Sequence, residues 1–174
     1  LLIQPPAKDT TLLYDTGQSG TVLLHNMETL GIDPASVGTV VLSHGHYDHT
    51  GGLPSLLPKL NQGTRVVAHP DAFGFKLKER DPKNYIGSPI QPEEIEGSGA
   101  EMVLERSSVE LLEGVRTSGE VPRRHAYEEE AVAGFFHRTS AGTIEADTMP
   151  DDLSLVITIP GRGIFLLCGC CHAG

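Results

Sequence analysis

Three histidines and one aspartate fall within the six residues His44-Gly45-His46-Tyr47-Asp48-His49, directly after the apolar run Thr39-Val40-Val41-Leu42. Side chains two apart in an extended segment leave on the same face, so His44 and His46 can chelate one ion together. Asp48 continues that alternation, while His49, adjacent to it, needs the chain to turn. One loop can thus serve two neighbouring ions, the first through His44 and His46, the second through Asp48 and His49. Neutral imidazole and carboxylate are ligands that zinc prefers and that iron and manganese accept. The alternative is a polar loop whose histidines only face water. It fits poorly with three of the eight histidines falling in one hexapeptide.

The elements that must hold this loop are read from the flanking pattern. Val37–Leu42 is a strand feeding the loop, Gly51 and Gly52 supply a turn, and Leu53–Leu60 has the apolar spacing of a short helix. Pro54 suits its first turn, where no backbone donor is needed, and Pro58 marks a kink or the helix end. Upstream, Thr11–Tyr14 predicts a strand and Thr21–Leu30 a helix closed by Gly31; downstream, Arg65–His69 predicts a β-branched strand ending at Pro70. Such alternation predicts an α/β layer architecture. From Gly74 to Gly99 the pattern dissolves into Lys, Glu, Pro, Gly and Ser, which predicts a lid or flexible insertion over residues 74–99. Strand candidates follow at Glu101–Leu104, Val109–Leu112 and Gly114–Thr117. Ser154–Ile159 and Gly163–Cys168 read as a hairpin through Pro160-Gly161-Arg162. There is no internal repeat or low-complexity tract.

Size and charge bound the function. A chain of 174 residues with 39% apolar content supports one domain with a real core, and 20 glycines with 12 prolines imply many turns. A net charge of −10 with no offsetting basic block argues against nucleic acid as a partner, leaving a small-molecule substrate. Arg123-Arg124 and the Lys76–Lys83 stretch could meet an anionic group on such a substrate, but read more simply as solvated surface. The acidic runs Glu93-Glu94, Glu128-Glu129-Glu130 and Asp151-Asp152 also read as solvated faces. No stretch is apolar for long enough to span a membrane, and the start lacks a signal-peptide pattern, although a chain without an initial Met leaves a lost leader open. The three cysteines all lie between Cys168 and Cys171, which argues against a disulfide framework and predicts a reducing, cytoplasmic setting. An unpaired strand edge at the end of the chain predicts association, hence a homo-oligomer.

The motif His-x-His-x-Asp-His between a strand and a helix resembles the metallo-β-lactamase fold superfamily. Leu12-Leu13-Tyr14-Asp15-Thr16-Gly17 is similar to that superfamily's early strand ending in an aspartate. By that analogy Asp15 holds the metal loop by hydrogen bonding; by its place beside Gly17 it is equally a turn residue. Tyr14–Gly20, His44–Leu57, Ser118–Arg123 and Cys168–Gly174 occur in the order of one branch, which resembles ribofuranosylaminobenzene 5′-phosphate synthase and dihydropteroate synthase-related metal-dependent hydrolases. The resemblance implies an αββα sandwich, a single incomplete domain over residues 1–174 truncated at both ends, with the family pattern continuing to a helix, a strand and a last histidine ligand.

It also implies a ligand set. His172, at the tip of an apolar strand, becomes the third ligand of the first ion. Asp48 and His49 hold the second, whose remaining ligand lies beyond residue 174. Cys170 or Cys171 could substitute as thiolate, or be small buried hydrophobes. Glu120 occupies a stretch where many relatives place a histidine ligand, and stays an alternative to His172. His69 has a structural or substrate-binding role, Tyr47 packs or donates to substrate, and His25, His125 and His137 are not ligands. The implied activity is that of a zinc-dependent hydrolase. Water between two ions loses a proton and attacks an ester, lactone or phosphoester, possessing a pterin-like or phosphorylated body, while Asp48 orients the water or shuttles its proton. A di-iron oxidoreductase of the same fold and a non-catalytic metal-binding fragment are the alternatives.

Overall fold

Apolar residues on consecutive positions mark strands buried on both faces. In the computed structural model, which describes residues 1–4, 11–125, 127–128 and 132–172, the strands before the metal loop are covered in that way. The first half runs β1 (Leu2–Ile3), β2 (Thr11–Tyr14), α1 (Gly20–Thr29), β3 (Val37–Val41), α2 (Tyr47–Thr50), α3 (Leu53–Leu56), β4 (Arg65–Ala68) and β5 (Lys76–Lys78). The second half runs α4 (Pro92–Gly97), β6 (Glu101–Leu104), β7 (Glu110–Leu112), β8 (Val115–Thr117), β9 (Phe135–Arg138), β10 (Ile144–Ala146), β11 (Ser154–Ile159) and β12 (Gly163–Cys168).

The described residues form three sheets. The first has the order β1-β2-β3-β4-β6, with β2, β3, β4 and β6 mutually parallel and β1 antiparallel at the edge. The second, β12-β11-β8-β7, is antiparallel throughout, and the third, β10-β9-β5, is a small antiparallel flap. Alternation along the parallel strands sorts their side chains. Leu13, Val40, Leu42, Val66 and Ala68 pack with Met27, Leu53, Leu56 and Ile95 of the helices. Leu12, Tyr14, Val41 and Val67 pack on Leu111, Val115 and Leu155 of the second sheet. Helices, sheet and second sheet are three layers of an αββα sandwich. The edge strand β12 leaves Ile164, Phe165 and Leu166 exposed. Among the described residues no helix is long and apolar enough to cross a membrane.

Local signals account for the boundaries. Ser19 caps α1 by accepting from the Val22 N–H, and Gly31, with φ +67°, takes the left-handed turn that ends it. The expected helix over 53–60 stops as α-helix at Leu56 and continues as a 3-10 turn over Leu57–Lys59, because Pro58 has no N–H for the longer ladder. The hairpin forms as read, with Leu155 opposite Leu167 and Gly161 at φ +71° in its loop.

Two readings are corrected. Residues 74–99 are not structureless: the segment carries β5 and α4, and Lys76, Leu77, Ile90 and Ile95 are buried. Three apolar anchors spread over a polar stretch are too sparse to show periodicity, yet enough to tie it down. The charges of Lys76 and of Asp151-Asp152 are not solvated either, since all three side chains are buried. Lys76 and Asp151, 75 residues apart, pair there, which composition alone does not reveal.

Candidate metal centre

The parallel strands β2, β3 and β4 end at one edge of their sheet, the edge where α/β folds place their ligands, and deliver Asp15, the 42–46 loop and His69 there. Asp15 has φ +59°, a left-handed turn conformation. That turn aims its carboxylate at the loop: Oδ1 accepts from Ser43 N (2.7 Å), while Oδ2 accepts from Ser43 Oγ (2.8 Å) and His49 Nδ1 (2.7 Å). Both readings of Asp15 therefore hold. Leu153, just before β11, grips the same loop: its N–H donates to Ser43 O (2.7 Å), and its own carbonyl accepts from Tyr14 Oη–H of β2 (2.7 Å).

His44, His46 and His172 come together, their ligand atoms all within 4.8 Å of one another. Two come from the loop after β3 and the third from the turn after β12. Ring centroids lie 4.6 Å apart for His44 and His46, 5.1 Å for His44 and His172, and 5.5 Å for His46 and His172. Ser43 Oγ, donating to Asp15, accepts from His44 Nδ1 at 2.9 Å, which turns the His44 Nε2 lone pair toward His46 Nδ1, 3.0 Å away. Phe135 stacks on His46 with centroids 5.2 Å apart.

Burial pushes His44 far below the usual imidazole range, and the neighbouring His49, His46 and His172 add to it. Burial, then the Lys76 charge, brings His46 down to about 4. Burial also lowers His172, against the pull of Asp152 and Asp151. Neutral imidazoles with free lone pairs are what a metal needs. His46 Nε2 and His172 Nε2 are buried without a hydrogen-bond partner among the described residues. Leaving a buried nitrogen unpaired is costly, and ligation of a cation is one way to satisfy it. Three imidazoles are the protein ligand set of one kind of catalytic zinc site.

A second group, His44, His49 and Cys170, adjoins the first. His49 Nδ1–H donates to Asp15 Oδ2, so Nε2 faces Cys170 Sγ at 3.1 Å. Burial works against the charged form of His49, but the Asp15 hydrogen bond and charge, with Asp48 and Asp152, outweigh it and raise its pKa. Burial first, then Asp48, Asp152 and Asp15, pushes the Cys170 thiol up. Both Cys170 and Cys171 are exposed, so the reading of them as small buried hydrophobes is corrected: the turn after β12 lies outside the core. Asp48 stands beside this group, its Oδ2 3.8 Å from His49 Nε2 and its side chain half exposed.

Glu120 belongs to neither group. Its Oε1 accepts from His69 Nε2 (2.8 Å) and Arg106 Nη1 (2.6 Å), and Arg106 Nη2 reaches Asp71 Oδ1 (2.9 Å). This corrects Glu120 as an alternative to His172: the fully buried His69 and the Arg106 guanidinium claim its carboxylate. His69 Nδ1 accepts from Asp71 N (3.0 Å), so its proton lies on Nε2, toward Glu120. Arg123, read as surface, donates through Nη2 to His172 O (2.7 Å) and through Nη1 to Thr148 O. The sequence reading missed Lys76 and Asp151, whose only signal was charge in runs that looked solvated.

The family model of the metallo-beta-lactamase superfamily matches residues 1–170. A Methanocaldococcus jannaschii protein named 7,8-dihydropterin-6-methyl-4-(beta-D-ribofuranosyl)-aminobenzene-5'-phosphate synthase is 30% identical over 168 residues, covering 94% of this chain and 56% of the relative. An uncharacterized protein of the same organism is 32% identical over 170 residues, covering 94% and 59%. Among solved structures, a metal-dependent hydrolase of the beta-lactamase superfamily superposes with a TM-score of 0.67 at 28% identity, covering 95% of this chain and 57% of that one. A quorum-quenching N-acyl homoserine lactone lactonase shares the fold, with a TM-score of 0.56 at 16% identity over 95% of this chain and 57% of its own. The chain thus spans little more than half the length of these relatives.

Proposed function

The chain belongs to the metallo-beta-lactamase superfamily, and on that premise we propose that it is a zinc-dependent hydrolase of an ester, lactone or phosphoester. The observation that carries this reading is the convergence of His44, His46 and His172, whose ligand atoms all lie within 4.8 Å of one another, with His44 Nε2 3.0 Å from His46 Nδ1. A divalent ion held by these three residues supplies a Lewis acid for a developing oxyanion and lowers the pKa of water.

The remaining work falls to the side chains. Burial keeps His44, His46 and His172 neutral, so protons do not compete for their lone pairs near neutral pH. Phe135, stacked on His46, keeps water from one side of the cluster. Asp15 takes the Nδ1 proton of His49 and leaves Nε2, with Cys170 Sγ, as donors for a second ion. Asp48, half exposed beside His49, accepts the proton of the attacking water and passes it to solvent.

The synthase relative bears a dihydropterin and a phosphate in its name, which supports a phosphorylated or pterin-like small molecule as substrate. The net charge of −10 supports the same class over nucleic acid, and the clustered cysteines a cytoplasmic setting. Protein purified without added metal is expected to carry about one to two zinc ions per chain. It should also hydrolyse phosphodiesters or lactones in a screen. Undiminished turnover in the double variant His46→Ala with Asp48→Ala would sink the reading, as would a chain that takes up no zinc.

A further inference from the structure

Lys76 heads the side chains that the fold encloses completely, and nothing in the proposed reaction uses it. Its ammonium donates to Asp147 Oδ2 and to Asp151 Oδ1, both at 2.9 Å, and both carboxylates are buried with it. Two carboxylates against one ammonium leave a net negative charge inside the protein. Such a group is tolerated only when its remaining lone pairs are satisfied.

Those lone pairs lead in two directions. Asp147 Oδ1 accepts from Met149 N–H at 2.7 Å, within its own turn. Asp151 Oδ2 accepts from Gly45 N–H at 2.8 Å, across 106 residues. Gly45 is the residue between His44 and His46. The loop is also pressed against the 3-10 turn Pro70–Phe73 that follows β4: a Cβ built on Gly45 would lie 1.8 Å from the Ala72 carbonyl oxygen. The peptide joining the two histidines is therefore pinned between a carbonyl and a carboxylate, and Lys76 fixes the carboxylate.

We infer that Asp151, anchored by Lys76, is a positioning residue for the metal centre, holding the Gly45 peptide so that His44 and His46 converge on one point. The inference rests on the reading of His44, His46 and His172 as metal ligands. It requires both oxygens of the carboxylate, one neutralised by Lys76 and one accepting from Gly45. An amide has a single acceptor oxygen. In Asp151→Asn the Lys76 ammonium claims that oxygen, and an NH2 group then faces the Gly45 N–H, donor against donor. Asp147→Asn makes the same chemical change on the same lysine but leaves the loop contact intact.

The test is Co2+ titration of wild type and the two variants, followed by the visible d–d absorption, which reports ligand geometry rather than turnover. Asp151→Asn is expected to weaken Co2+ binding by about tenfold or more and to shift the bands, with Asp147→Asn within about twofold of wild type. Equal effects of the two variants, or none, overturn the inference while leaving the metal site standing. A wild-type protein that takes up no Co2+ overturns both. If Asp151→Asn does not fold, the wild type still decides. The Gly45 amide must be shifted downfield and exchange slowly with deuterium, and a fast-exchanging Gly45 amide overturns the inference.

Discussion

Asp15 and His49, 34 residues apart in the chain, are joined by a 2.7 Å hydrogen bond from imidazole Nδ1 to carboxylate Oδ2. That bond selects the tautomer: with the proton on Nδ1, the Nε2 lone pair points to Cys170. It also sets His49 apart electrically from its neighbours, because a carboxylate favours the imidazolium that burial suppresses in His44 and His46.

The two ion positions should therefore differ in their competition with protons. His49 holds a proton to higher pH than His46, whose pKa is about 4. As pH falls, the ion at His49 and Cys170 is expected to leave first and the ion at the three histidines later. Zinc content per chain across a pH series, read by elemental mass spectrometry, should fall in two steps. A single step would contradict this assignment.

Acid should also destabilise the metal-free protein. His46 has a folded-state pKa of about 4, against 6.5 for the model imidazole. The unfolded chain thus binds the extra proton between those values. Stability is fully present above pH 6.5 and is lost as pH falls through about 4. The slope expected from this residue is up to about 1.4 kcal/mol per pH unit. Urea denaturation at successive pH values checks the sign, and stability rising toward pH 4 would contradict it.

Gly45→Ala is expected to disrupt the loop, since the new methyl would meet the Ala72 carbonyl backbone at 1.8 Å and neither side can yield cheaply. A cost of about 1–3 kcal/mol is expected, together with weaker zinc uptake. Denaturant midpoints and metal content, measured side by side, separate the two effects.

His172→Ala and Glu120→Gln should part company. Removing His172 takes away one of the three clustered imidazoles and is expected to weaken zinc binding by about 10–100-fold. Removing the Glu120 charge affects its contacts with His69 and Arg106 and leaves zinc binding unchanged. Isothermal titration with zinc distinguishes them, and a loss in Glu120→Gln equal to that in His172→Ala would return Glu120 to the ligand set.

The local part of the site was legible along the chain. Strand geometry dictates that His44 and His46 leave together. The apolar runs at 11–14, 37–42 and 65–69 dictate a layered α/β arrangement, and Gly31, Pro58 and Gly161 mark where elements end. The Lys76–Asp151–Gly45 contact was not legible, because a charge run reads the same whether water or a distant carboxylate surrounds it. Nor was Glu120's capture by His69 and Arg106, where a matched position suggested a ligand.

Spacing over a few residues is governed by backbone dihedrals, which the sequence by itself determines: the paired histidines, the turn glycines and the order of strands and helices. What stacks one sheet on another is the burial of whole faces. Only that stacking decided that the turn after β12 brings His172 and Cys170 to the loop after β3, and that a buried ammonium lies beneath it. Contacts across more than a hundred residues carry no local signature, since the chain between them is free to take many lengths and paths until the layers close.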